Sequence, residues 1–354
     1  MKITNISWER VGCKLKKPFI TALRTLDYLE VIQVVISSDS GEIGIGGCAP
    51  TAAITGETMG SLDAALLFLS EKIKGMEIEG LAPILYKIKT GMAGNTSAKA
   101  ALDIALHDLY SKKLGIPLYQ YLGGFSDRLS TDLTISLNSM EEMVEDANQA
   151  FKDGFKELKL KVGGDPDEDV SRIMGIREAL GTEVKLRLDA NQGWTVRDAV
   201  KIVNRVQDMG GDLDFVEQPV KGTDLKGMRF VRENIGVPLV ADESIFSPED
   251  AMRIVEEEAA DGFNIKLMKC GGISEALKIS AIAETAGLFC MVGAMMESHA
   301  GVSAAAHLAA SLKTVKYADL DVPLLCSEKT EKGGIIYNGA EIRFPDLPGL
   351  GMEL

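Results

Sequence analysis

The sequence predicts an α/β fold, a TIM-type (β/α) barrel preceded by an N-terminal α+β domain. Three observations lead there. Lys161, Asp189, Glu217, Asp242 and Lys266 each stand near the C-terminal end of a short apolar run, at intervals of 28, 28, 25 and 24 residues. A strand, helix and return use about that much chain when a barrel of roughly 250 residues is divided into eight units. From about residue 130, strand-like runs alternate with helices opened by N-cap residues, as parallel strands with right-handed crossovers require. Before about residue 122 the pattern differs, and 354 residues are long for a single core. The expected division is 1–124, 125–322 for the barrel, and an irregular 323–354.

In the first part, Glu30 to Ser37 is a β-rich run, Ser40-Gly41 a turn, and Ile43 with Ile45 begins a return strand. Two or three helices follow. The clearest carries Ala98, Ala101, Leu102, Ala105, Leu106 and Leu109, an apolar stripe at helical spacing. In the second part, Leu133 to Leu137 reads as a strand. Ser139 with Glu142 makes a capping box ahead of Met143, Val144, Ala147, Ala150 and Phe151, and Gly154 stops that helix. Glu157 to Val162 is the next strand. Thr195 with Asp198, Ser247-Pro248 with Asp250, and Ser274 open later helices. After Pro323 the chain turns irregular.

Hydrophobic content of 46% and charged content of 25% are those of a soluble globular protein. A net charge of −14 argues against nucleic acid. No run approaches about 18 apolar residues, so no membrane association is expected and the expected compartment is the cytoplasm. Cys13, Cys48, Cys270, Cys290 and Cys326 are odd in number and scattered, which fits reduced thiols better than disulfides.

On the strand Glu157-Leu158-Lys159-Leu160-Lys161-Val162 the period of two puts Lys159 and Lys161 on one face. An isolated Lys-x-Lys is ordinarily exposed. Inside a parallel sheet, where both faces are covered, charge is unusual, and two inward lysines would lower each other's pKa and favour a neutral base. Asp189, Glu217 and Asp242 each end an apolar run. Taken singly each could be a helix cap; three at successive strand ends converge and call for a cation. Oxygen ligands without nearby His or Cys point to Mg2+ or Mn2+, not zinc. Lys266 ends Phe263-Asn264-Ile265 across the barrel from Lys161, and Lys269 is expected to be solvated in the following loop. Two bases on opposite faces of one carbon permit its inversion. His107 is expected to be structural, and His299 and His307 lie near the seventh strand-loop-helix. Three His and no nucleophile motif make a hydrolytic triad or zinc site unattractive. Gly44, Gly46 and Gly47 lack a dinucleotide fingerprint, and Gly271-Gly272 is a weak phosphate signal.

Lys159-x-Lys161, Asp189-x-Asn191, Glu217-Gln218-Pro219, Asp242-Glu243-Ser244 and Lys266 ahead of Gly271-Gly272 together resemble the enolase superfamily, in its muconate-lactonizing-enzyme subgroup. The resemblance runs nearly end to end and implies a modified TIM (β/α) barrel with an N-terminal α+β capping domain, to which the C-terminal segment returns. It implies one Mg2+ per subunit on Asp189, Glu217 and Asp242, stabilising an enediolate; Lys161 and Lys266 as acid/base groups; and Lys159 in support of Lys161 and the substrate carboxylate. Asp319-Leu320-Asp321 resembles the element by which the subgroup's dipeptide epimerases hold a substrate α-ammonium, though by itself it could be an ordinary acidic loop. By the same likeness the loops around Phe19 to Arg24 and around Ile54 cover the substrate side chains. Arg24 matches the position that pairs with a glutamate side chain in Ala-Glu epimerases. Thr134 and the backbone from Met296 to Ser298 would face the substrate.

The resemblance implies an Mg2+-dependent isomerase inverting the C-terminal residue of a dipeptide, L-Ala-D/L-Glu-like or another L,L-dipeptide, with the dipeptide and further copies of the chain in a homo-oligomer as its partners. N-acylamino acid racemase or o-succinylbenzoate synthase is the alternative on the same fold, whose substrates would give Asp319 and Asp321 no ammonium to meet. A non-catalytic metal-binding barrel would have no need of two lysines beside its metal.

Overall fold

The computed structural model describes residues 1–329 and 331–354. β1 (Ile3–Ile20) and β2 (Thr25–Ser38) form a long antiparallel ribbon, and β3 (Ile43–Cys48) pairs with β2 across the turn at Ser40 and Gly41. β1 has mostly exposed or half-exposed positions, so no apolar run announces it. α1 (Met59–Ile73), α2 (Ala82–Thr90) and α3 (Thr96–Leu114) complete this part. The apolar stripe read on α3 is buried, and so is most of the rest of the helix. Gly44 and Gly46 admit it: a Cβ there would stand 2.0 Å from Ala105 O and 2.1 Å from Ala101 O. These glycines serve close packing.

α4 (Leu118–Tyr121) and β4 (Arg128–Ser130) lead into eight parallel strands in sequential order: β5 (Leu133–Ile135), β6 (Glu157–Lys161), β7 (Lys185–Asp189), β8 (Leu213–Glu217), β9 (Leu239–Ala241), β10 (Gly262–Ile265), β11 (Phe289–Gly293) and β12 (Val315–Asp319). The Asp132 amide donates to Ala318 O at 3.1 Å, joining the first strand's approach to the last strand. The crossovers are α5 (Met140–Lys152), α6 (Pro166–Leu180), α7 (Val196–Asp208), α8 (Leu225–Glu233), α9 (Pro248–Glu256), the single turn α10 (Leu267–Cys270) with α11 (Ile273–Ala286), and α12 (His299–Ser311). After β12 the sole helical element among the described residues is the turn α13 (Val322–Leu325), which modifies the eightfold pattern. Among the described residues no helix is long and apolar enough to cross a membrane.

Ser139, Thr195 and Ser247 accept the amides of Glu142, Asp198 and Asp250, each satisfying one otherwise orphaned donor. Ser274 does not cap its helix. α11 starts at Ile273, and the carboxylate that meets its first amides is Asp103 of α3, 2.7 Å from Ile273 N and 3.4 Å from Ser274 N, with the Ser274 hydroxyl at 2.6 Å. An acid from the N-terminal domain therefore fills the place where Gly271-Gly272 hinted at phosphate.

Two further expectations change. Cys13 and Cys326 are joined as a disulfide with Cα atoms 6.0 Å apart, while Cys48, Cys270 and Cys290 are free and buried. Their separation of 313 residues hid the pairing: β1 reaches across to the chain beyond α13, where Ser327 N donates to Lys14 O at 2.9 Å. The tail is also more ordered than its glycines and prolines suggested. β13 (Lys332–Gly333) pairs with β16 (Met352–Glu353), and β14 (Ile336–Asn338) and β15 (Glu341–Arg343) add to β4 as a three-stranded sheet.

The barrel interior is layered. Phe215, Val240 and Met291 pack with Tyr317 and Phe289 below the strand ends. Arg187 lies among them, its guanidinium 4.6 Å from the Tyr317 ring centre and paired with Asp132 at 2.8 Å, Glu157 and Asp214. This layer closes the floor, so ligands reach the interior from the C-terminal strand ends.

Candidate active site

Parallel register sets the site's frame. Lys161 is level with Asp189, and Asp189 with Glu217; Asp242 and Lys266 stand one residue beyond β9 and β10. Each side chain follows from period-two alternation and points inward. Carboxylate oxygens of Asp189, Glu217 and Asp242 lie within 4.8 Å of one another, and all three residues are buried.

The lysines come in two pairs. Lys161 Nζ rests 2.6 Å from Asp189 Oδ2, and Lys159 Nζ lies 3.1 Å from the same atom. On the other side Lys266 Nζ rests 2.7 Å from Asp242 Oδ2, while Lys269 donates to the other carboxylate oxygen and the carbonyl of Asp242. Lys269 is therefore buried, because α10 folds it back under the strand end; the expected solvated loop lysine is not found. β6 and β10 are four places apart in the order of eight, so Lys161 and Lys266 face each other across the barrel mouth.

Lys159 is fully buried among Asp189, Glu217 and Asp319. Burial works against its charge, but these acids outweigh it and hold its pKa well above the ordinary lysine value. The expected mutual lowering by Lys161 is overridden. Burial likewise penalises Lys266, and Asp242 with other acids raises it. Burial would raise Asp189 and Asp242, yet their lysines pull both below the usual carboxylate range. Glu217, pushed up to about 7 by burial and by Asp189, is different. Its Oε2 lies 2.8 Å from Lys159 Nζ but off the hydrogen-bonding direction and has no hydrogen-bond partner. Its Oε1 accepts from Asn264 Nδ2 at 2.6 Å. A buried carboxylate oxygen without a hydrogen bond, in a trio of hard oxygen donors, fits a divalent cation such as Mg2+.

Gln218 and Asn191 set the acids' backbones. Gln218, at φ 36°, accepts the amides of Asp242 at 2.8 Å and Ser244 at 3.1 Å. Asn191, at φ 42°, gives its amide to Asp189 Oδ1 at 2.9 Å and its side chain to Glu243 Oε1 at 3.2 Å. Glu243 is pushed up to about 8 by burial, then by Asp242 and Asp189.

Asp319 ends β12, and its Oδ2 accepts from Lys159 at 2.7 Å. Burial opposes its charge, but Lys159, Lys161 and Lys266 keep it low. Asp321 accepts the Thr134 amide at 2.7 Å and is pushed up to about 7 by burial and by Asp319. Both acids line one cleft with Thr134, Lys161, Asp242 and Lys266, and Phe19, Arg24, Ile54 and Met296 line it too. Arg24 is partly buried, which lowers its pKa, and it has no carboxylate partner among the described residues.

Two family models cover this chain: residues 3–123 match the mandelate racemase / muconate lactonizing enzyme N-terminal domain, and residues 142–354 an enolase C-terminal domain-like model. The chain belongs to the mandelate racemase/muconate lactonizing enzyme family. One relative in that family, L-Ala-D/L-Glu epimerase of Clostridium acetobutylicum, is 47% identical over 100% of this chain and 99% of its own. A substrate-liganded complex of the L-Ala-D/L-Glu epimerase from Bacillus subtilis superposes with a TM-score of 0.98 at 46% identity, covering 99% of both chains. A dipeptide epimerase from Enterococcus faecalis V583, complexed with Mg and L-Leu-L-Tyr, gives 0.97 at 39% identity over 100% of each chain.

Within this family member the sequence brought together Lys159, Lys161, Asp189, Glu217, Asp242, Lys266, Asp319, Asp321 and Thr134. The Ser298 side chain is fully buried, caps α12 through Gly301 N at 3.0 Å and packs on Gly47, where a Cβ would stand 1.9 Å from its hydroxyl. His107 bonds Asp103 O at 2.8 Å and is structural as expected, and buried His307 accepts the Tyr119 amide at 3.0 Å. Asn264 and Arg187 were missed, although each lies two residues from a recognised residue on the same strand face. Lys269 had no such signal, because its position depends on one helical turn.

Proposed function

We propose that this protein is an Mg2+-dependent dipeptide epimerase, inverting the α-carbon of the C-terminal residue, with L-Ala-D/L-Glu as the preferred substrate type. The carrying observation is the pair of opposed lysines, Lys161 and Lys266, flanking a three-carboxylate cluster beside Asp319 and Asp321. Asp189, Glu217 and Asp242 would hold the cation, which when bound supplies positive charge against the enediolate's negative charge. One lysine, as the neutral amine, takes the α-proton and becomes an ammonium, and the other, as an ammonium, gives a proton to the opposite face and becomes neutral. Asp319 and Asp321 hold the α-ammonium, with Thr134 fixing Asp321. Lys159, locked in its charged state, supports the substrate carboxylate and Lys161. Residues 1–124 act as the cap. A cytoplasmic homo-oligomer is the proposed setting, without nucleic-acid partners; the net charge of −14 supports only the last of these.

If the two acids bind the amine, L-Ala-L-Glu should turn over and its N-acetyl derivative should not. Asp321→Asn should lose a factor of tens or more in kcat/KM, since breaking a close desolvated charge pair costs about 2–5 kcal/mol. Equal turnover of free and acetylated substrates would favour the N-acylamino acid racemase reading.

Arg24 supports an acidic C-terminal side chain, being a partly buried guanidinium at the cleft without a carboxylate partner among the described residues. Arg24→Met should lower kcat/KM for L-Ala-L-Glu by about ten- to a hundredfold, as expected for loss of a charge-assisted hydrogen bond of about 1.5–3 kcal/mol, and leave L-Ala-L-Met nearly unchanged. Equal losses on both substrates would remove Arg24 from side-chain recognition.

A further inference from the structure

Asp319 is fixed by the barrel: its carbonyl accepts Ala294 N at 3.1 Å, and it pairs in register with Gly293. Asp321 lies beyond the strand, and its direction depends on the turn through Leu320. Both polar backbone groups of Leu320 are held from outside the barrel strands. Its amide donates to Thr131 Oγ1 at 2.9 Å, and its carbonyl accepts the Tyr337 hydroxyl. Thr131 and Tyr337 belong to one unit: Thr131 follows β4, Tyr337 lies on β14, β15 pairs with both strands, and Thr131 N donates to Ala340 O at 2.9 Å.

We infer that Tyr337 is a positioning residue for the ammonium site, setting Asp321 through the Leu320 carbonyl. This rests on the reading of Asp319 and Asp321 as the ammonium's partners. Leu320 is fully buried, so without the phenol its carbonyl loses a partner that water cannot readily replace. The 320–321 peptide can then rotate, and Asp321 turns away from the Thr134 amide. Burial and then Asp321 hold the phenol well above its ordinary pKa, so it stays a donor. Among the described residues the Tyr337 hydroxyl hydrogen-bonds the Leu320 carbonyl and none of the proposed bases or cation ligands.

Tyr337→Phe removes the hydroxyl and keeps the ring. On the Mg2+-loaded enzyme with L-Ala-L-Glu, KM should rise about five- to tenfold, as expected for one lost hydrogen bond. kcat should stay within about twofold, and Mg2+ affinity and the unfolding temperature should be close to wild type. Asp321→Asn is measured beside it. If Asp321→Asn raises KM and Tyr337→Phe does not, the ammonium reading stands and Tyr337 has no positioning role. If Asp321→Asn leaves KM unchanged, the ammonium reading itself fails. A fall in kcat and Mg2+ affinity together in Tyr337→Phe also overturns the inference, because it marks a general prop for the barrel.

Discussion

Lys161→Ala and Lys266→Ala are each expected to stop epimerisation, with a loss of at least about 10³-fold, within the range for removing one general acid–base group. Each should still exchange the substrate α-proton with D2O, for opposite stereoisomers. Inversion needs both faces of the α-carbon, whereas exchange needs removal and return on only one. The doubled lysines make the experiment feasible. Without Lys161, Asp189 keeps the Lys159 ammonium at 3.1 Å; without Lys266, Asp242 keeps Lys269. Neither mutation strands a buried carboxylate without a cation, the situation that costs about 3–5 kcal/mol. Both variants should therefore fold and bind Mg2+, which calorimetry can check before kinetics are read. A Lys266 variant epimerising at the wild-type rate would leave Lys269 or water as the second base.

Glu217→Gln is expected to weaken Mg2+ binding at least ~100-fold. Altering groups that merely orient metal ligands costs ~10–100-fold, and a direct carboxylate should cost no less. Asp189 and Asp242 are each paired with two lysines, whereas Glu217 is paired among the described residues with Lys159 alone, which it shares with Asp189, so its charge is the least compensated by protein. Chelation of the wild-type enzyme should abolish turnover, and added Mg2+ should restore it. Full activity in excess chelator, or unchanged Mg2+ affinity in Glu217→Gln, would remove the trio as a metal site.

Much of the site was legible because strands impose a two-residue period and a barrel repeats it at regular intervals. Lys159 and Lys161, then Asp189, Glu217, Asp242 and Lys266, are placed by strand geometry alone. What escaped depends on contacts between distant parts. Lys269 reaches Asp242 only through α10, and Cys13 meets Cys326 only because β1 runs the length of the N-terminal sheet. Asp103 reads as one polar position in an apolar helix, although it completes a helix 170 residues onward. Lys159 keeps its charge for a related reason: Asp189, Glu217 and Asp319, which surround it, come from other strands.

The Asp103 contact bears on how substrate preference could be redesigned. Transplanting the N-terminal part of one such enzyme onto the barrel of another is a natural way to exchange the loops around Arg24 and Ile54. Here that part also supplies the acid at the start of α11, directly downstream of Lys266, and Gly47 leaves room for the Ser298 hydroxyl. A chimera whose donor lacked an acid at the Asp103 position would expose α11's first amides, and a donor with a side chain at the Gly47 position would collide with α12. Loop grafts that leave α3 and β3 in place should avoid both problems.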